Sequence, residues 1–334
     1  MDLLQPQLLI WLLLAVAIVL VFLCDAKTAA VVANLDTSAV QAKASTQLSA
    51  QLKAQLKAQP KAQSRMGALW QRFCAQQLSR QTSWVLLVAA LSIATMMGRL
   101  AVPTALLLVV IFATVFLLKE GQQRWQKVVR HSVVILLSLA LSLHLLPGFE
   151  NWQLLNEVQL SAQSRPFSLY LNLDKPLVFF LLLLLLPDLP GRYRLNFNAS
   201  VRLLVISLLA ISAISALAAQ AGFVALEWKV PHWWWLFAFN NLMFTCVVEE
   251  AFFRGYLQRL LSQKAGAVGA MALVALLFGL AHLGSGWLYA LLATGAGLFY
   301  GYLYWRSGSL LVAVAGHFMV NIVHLFALSY PALR

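Results

Sequence analysis

The sequence predicts an all-α protein: a polytopic transmembrane helical bundle of about 8–10 helices, with a basic low-complexity cytoplasmic linker after the first helix. Three observations predict it. Of 334 residues 61% are hydrophobic and only 10% are charged, far below the roughly one quarter charged that is usual for a soluble domain. Apolar runs recur at helix length along the chain. The basic residues cluster between runs that would lie on one side of a membrane.

The first run, Leu8 to Cys24, follows MDLLQPQ, which has no Lys or Arg. It therefore lacks the positive region of a secretory signal and reads as a retained helix, residues 1–24. Residues 25–83 differ in character. They contain QLSA-QLKA-QLKA-QPKA, and they carry eight basic residues against Asp25 and Asp36. A strict period of four drifts around a helix of ~3.6 residues per turn and builds no stable apolar face. The segment reads as a solvated linker lying against anionic headgroups. Apolar runs follow at 84–98, 100–118, 132–147, 177–187, 203–224, 233–262, 266–283, 286–305 and 310–330. The runs at 84–98 and 177–187 are short for a span of ~20 residues. The chain is thus parsed as 84–228, additional transmembrane helices, and 229–330, a core carrying the polar residues described below.

Net charge is +13, and its placement explains it without a nucleic-acid partner. With the N-terminus outside, segments 25–83, 119–131, 188–202, 254–264 and Arg306 are cytoplasmic and hold 19 of the 24 Lys and Arg residues. Only Arg99, Arg165, Lys175, Lys229 and Arg334 fall outside, as does the acidic stretch 150–174. The positive-inside rule selects this orientation. Cys24, Cys74 and Cys246 are scattered without metal-site or disulfide-framework spacing.

Charged residues within membrane helices cost at least ~2.5–3.5 kcal/mol each and ask for a reason. VVEEAFFRG, residues 247–255, holds two glutamates and an arginine. Successive helical residues rotate by about 100°, so Glu250 and Arg254 share a face and pair, whereas Glu249 points elsewhere. The next helices supply Phe278 and His282, then His317 and Asn321, each pair four residues apart. At ~1.5 Å per residue, Glu249, His282, His317 and Asn321 lie about 20, 24, 12 and 18 Å from the same membrane side. Three helices thus bring a carboxylate, two imidazoles and an amide to similar depth. Three neighbouring features read as structure: His324 as a core or interfacial histidine, His144 as a packing histidine, and Asp174-Lys175 before Pro176 as a helix cap.

EExxxR (Glu249, Glu250, Arg254), FxxxH (Phe278, His282) and HxxxN (His317, Asn321), in this order, resemble the CPBP family. That family comprises the type II CAAX prenyl-protein endopeptidases and bacterial relatives, including bacteriocin-processing and self-immunity proteins. The resemblance covers about residues 233–328. It implies an intramembrane endopeptidase of glutamic type in a bacterial inner (plasma) membrane. By this resemblance Glu249 is the general base, activating water with His282, and His317 and Asn321 form the oxyanion hole. Glu250, Arg254 and Phe278 support them. The resemblance favours a metal-free site with no cofactor, and a membrane-associated peptide or protein tail as substrate.

The residue types suit that chemistry. A desolvated carboxylate is a stronger base than one in water, and a missing oxyanion donor typically costs ~10²–10³ in rate. A zinc version, with Glu249, His282 and His317 as ligands, is the alternative, although these residues lack the HExxH spacing that puts two ligands on one helical face. A catalytically silent immunity or scaffold protein and a proton-coupled transporter are the competing functions. Complete motifs argue against the first, and the lack of an internal duplication argues against the second.

Overall fold

The computed structural model describes residues 6–23, 80–121 and 123–334. The expected linker, 25–83, lies outside the described residues apart from its last four, which are helical. The chain divides into two compact units, Leu12–Ala89 and Met1–Trp11 with Ala90–Arg334. The described residues of the first unit are helical: most of α1 (Leu8–Leu23) and the start of α2 (80–96).

The second unit is a helical bundle with one small hairpin. After α2 come α3 (Val102–Leu118) and α4 (Arg124–Ser142). Pro103 stands in the first turn of α3, where its missing N–H costs no hydrogen bond. Gln123 and Gln126 close a reciprocal cap at the start of α4, which begins eight residues before the apolar run, because its first two turns are amphipathic and basic rather than apolar. The stretch expected as an acidic outer loop forms β1 (Trp152–Val158) and β2 (Phe167–Leu171), paired antiparallel with two register shifts. Such a short strand signal is weak beside long helical runs, and sequence reasoning missed it.

Helix α5 (Lys175–Leu185) has only 11 residues, and Leu177 through Leu182 are fully buried. It is short because it sits inside the bundle, apolar all round, and not because it was misplaced. Asp174 caps it, accepting from the Lys175 N–H at 2.9 Å. Helix α6 (Phe197–Gln220) starts at Asn196, whose side chain caps Ala199.

A helical run from Trp234 to Ala281 is divided at Gly266, whose φ of 69° breaks the helix. This gives α7 (234–265) and α8 (267–281). Two stretches of α7, Asn241–Cys246 and Ala251–Gln258, are π-helical and flank the single regular turn Val247–Glu250. Their i→i+5 bonds widen the turn, a feature that recurs at functional sites. Sequence reasoning assumed uniform rotation there. Last come α9 (Trp287–Ser307) and α10 (Leu310–Ala327).

Helices α8 and α9 pack tightly against each other at two glycines. A Cβ on Gly279 would stand 2.6 Å from the Ala290 carbonyl oxygen, and one on Gly297 would stand 3.1 Å from Ala275 Cα. The connections gather at two ends. At one, Arg192 and Arg194 N–H groups donate to the carbonyls of Gly308 and Ser307, and Leu310 N–H donates to Pro190. At the other, the Glu150 N–H donates to Arg99, Arg165 to Ala332, Ser329 to Ala225 and Leu333 to Phe223. The hairpin, the 221–229 segment and the C-terminal tail are thereby tied together at that second end.

Among the described residues, Phe197–Gln220, Trp234–Ala281 and Leu310–Ala327 are long and apolar enough to cross a membrane. Leu8–Leu23, Val102–Leu118 and Lys175–Leu185 are shorter apolar helices. The protein is an integral membrane protein of helical architecture.

Candidate active site

The regular turn of α7 sets the two glutamates on different neighbours. Glu250 is fully buried, and its Oε1 accepts from Arg254 Nη1 at 3.0 Å, one helical turn on. Arg254 is equally buried and donates through Nη2 to the Gly297 carbonyl at 2.9 Å. Its guanidinium carbon stands 4.7 Å from the Phe278 ring centre and 5.3 Å from that of Tyr300. This is a desolvated ion pair clasped between aromatic faces, a setting that favours arginine over lysine.

The same Oε1 of Glu250 lies 2.8 Å from His317 Nδ1. With the carboxylate already paired to Arg254, the Nδ1–H of His317 is the donor. Its ring stacks on Tyr300, with centres 4.5 Å apart. The expected pairing of Glu250 with Arg254 is present, but Glu250 also holds His317. Sequence reasoning paired Glu250 with Arg254 alone.

Glu249 turns into a cavity of about 700 Å³ that His282, His317 and Asn321 also line. Its Oε2 is buried with no protein hydrogen-bond partner. His282, at the C-terminal end of α8, gives its Nδ1–H to the Phe278 carbonyl at 2.7 Å. That bond fixes the tautomer and leaves Nε2 as the acceptor. Phe278 therefore anchors His282 through its backbone and covers Arg254 with its ring. Its rings with His282 and His317 are 4.6 and 5.8 Å apart, centre to centre.

Asn321 donates through Nδ2 to Asn241 Oδ1 at 3.0 Å and contacts Cys246 Sγ at 3.6 Å. Cys246 in turn donates to Asn241 Oδ1 at 3.2 Å. Asn240 also lines the cavity, and its Oδ1 is buried without a partner. Sequence reasoning overlooked Asn240 and Asn241. The signal was present, because an Asn doublet inside WWWLFAFNNLMF is as costly in a membrane helix as the residues that were noticed. Both lie on the first π-helical segment or its edge.

His324, read as a core or interfacial histidine, and His144, read as a packing histidine, also reach the cavity. His324 follows Asn321 by one turn, and its Nε2 is buried and unpartnered. His144 stands at the rim with its Nδ1 2.6 Å from the buried carboxylate of Asp174. Tyr289 stands against His282 with ring centres 5.6 Å apart.

Among the described residues, no three or more His, Cys, Asp or Glu side chains stand together in a way that could hold a metal ion. Of the alternative ligand set Glu249, His282 and His317, both imidazoles engage their Nδ1 atoms, His317 with Glu250 and His282 with the Phe278 carbonyl, which leaves Nε2 of each without those partners. What the arrangement offers is one carboxylate oxygen and one imidazole nitrogen facing a shared cavity, beside an amide and a second imidazole anchored from behind.

Residues 231–323 match the family model described as type II CAAX prenyl endopeptidase Rce1-like. No curated protein and no solved structure matches the chain.

Proposed function

We propose that the protein is an intramembrane endopeptidase of glutamic type, from the premise that residues 231–323 match the type II CAAX prenyl endopeptidase family model. The observation that carries this reading is the Glu249 carboxylate. One of its oxygens is buried without a protein partner, in a cavity that His282, His317 and Asn321 also line.

Glu249 acts as general base, with the Nε2 of His282 as second acceptor for the same water. The water oxygen bonds to the scissile carbonyl carbon while one of its protons passes to Glu249. The carbonyl oxygen gains the negative charge of the tetrahedral intermediate. Asn321 donates to it through Nδ2, turning from Asn241. His317, held at its Nδ1 by Glu250, is the second residue of the oxyanion hole. The C–N bond then breaks, and the proton held by Glu249 passes to the leaving amine. Glu250 and Arg254 position His317 and never touch substrate. No metal ion or cofactor takes part.

The substrate is a peptide, or the membrane-proximal tail of a protein, presented within the bilayer. Sequencing of new peptide N-termini in cells carrying the wild-type protein or Glu249→Ala tests this. Termini present only with the wild type support it, and identical sets would remove it.

A further inference from the structure

The rim of the cavity identifies the face of the membrane that the site serves. Asn151 and Arg165 beside the hairpin, Lys175 at the start of α5, Ser285 between α8 and α9, and Pro331 in the tail all line it. These residues belong to one end of the Ala90–Arg334 unit, the end tied together by the hairpin and the C-terminal tail. Among the described residues, none from the turns at the opposite end, 119–123, 186–196 and 306–309, lines the cavity.

The two ends carry different charge. At the opposite end, segments 119–130, 188–202 and 259–264 and residue Arg306 hold ten Lys or Arg residues against Glu120 and Asp188. The rim end holds Arg99, Arg165, Lys175, Lys229 and Arg334 against Glu150, Glu157, Asp174 and Glu227. The basic connections are short, the setting in which Lys and Arg hold a loop in the cytoplasm. Each helix from α3 to α10 runs from one end to the other, so the assignment of any basic loop fixes the rest.

We infer that the cavity opens on the extracytoplasmic face. The peptide it takes is therefore an exported one, or the outward-facing, membrane-proximal segment of another membrane protein. A cytoplasmic tail has no entry at the rim. The identity of the occupant as a hydrolysed peptide rests on the proposed function; the side does not, since it rests on rim geometry and charge. Most of the rim, residues 144–175, also lies outside the segment that matches the family.

The test separates the two. Cys24 and Cys74 are changed to Ser, Cys246 being buried, and one exposed residue at either end is changed to cysteine: Gln163→Cys at the rim end, Gln263→Cys at the other. A charged, membrane-impermeant maleimide is added to intact bacterial host cells whose outer barrier has been opened. The account expects Gln163→Cys to label in intact cells and Gln263→Cys to label only after the membrane is permeabilised. The reverse pattern, or labelling of both only after permeabilisation, overturns it. A membrane-impermeant fluorogenic peptide pool given to the same cells reads the other arm. Cleavage in intact cells with wild type but not Glu249→Gln supports both readings, and cleavage only after permeabilisation overturns the outward opening. No cleavage under either condition counts against the peptidase, while the labelling still decides the side.

Discussion

Glu250 is the residue whose loss the bundle should feel most. Its Oε1 is the shared acceptor for Arg254 at 3.0 Å and His317 at 2.8 Å, and all three side chains are almost wholly removed from solvent. Glu250→Ala leaves a buried guanidinium with the Gly297 carbonyl as its remaining close acceptor, and an imidazole N–H with none. Breaking a buried pair from one side costs ~3–5 kcal/mol. At about 1.4 kcal/mol per factor of ten, the folded population falls relative to the unfolded by roughly two to three and a half orders of magnitude. Titration of the purified protein from mild detergent into sodium dodecyl sulfate, followed by tryptophan fluorescence, reads this as a lower midpoint. Glu250→Gln keeps an acceptor and should lose less. Combining Glu250→Leu with Arg254→Met removes both charges and should recover much of the loss. That double variant still leaves His317 without its anchor, so stability should return while cleavage does not. An unchanged midpoint for Glu250→Ala would refute the reasoning, as would full cleavage by the double variant.

Three further outcomes follow from the same geometry. Gly279→Ala places a methyl 2.6 Å from the Ala290 carbonyl oxygen; the helices must part, and a loss of ~1–3 kcal/mol is expected in the same titration. Asn321→Ala should lower turnover by ~10²–10³ with little change in KM if the amide serves the oxyanion, whereas a purely structural amide would lower the midpoint instead. Activity should survive prolonged chelation and gain nothing from added zinc; loss in chelator with recovery on zinc would favour the metal reading.

Much of the candidate site was legible in the sequence because membrane helices penalise polar residues. Glu249, Glu250, Arg254, His282, His317 and Asn321 stood out against their surroundings, and depth along each helix brought them together. The helix run was legible for the same reason, including the short α5, although its burial inside the bundle was not. What sequence reasoning missed depended on departures from regular geometry. The π-helical segments on either side of Val247–Glu250 change rotation without changing composition, so the turn of His317 toward Glu250 could not be deduced from a uniform 100° step. Asn240 and Asn241 were passed over beside the louder glutamates. The hairpin at 152–171 and the reach of His144 to Asp174 depend on contacts between segments, which no local pattern announces.

The central claim is that Glu249 supplies the base. Its most direct test is the cleavage rate of purified Glu249→Gln in lipid, on a peptide that the wild type cleaves, with the detergent-unfolding midpoint measured alongside. Glutamine keeps the shape and removes the basic oxygen, which has no protein partner to lose. The account predicts an unchanged midpoint and cleavage at the level of the protein-free control. Cleavage at the wild-type rate by the folded variant would contradict it.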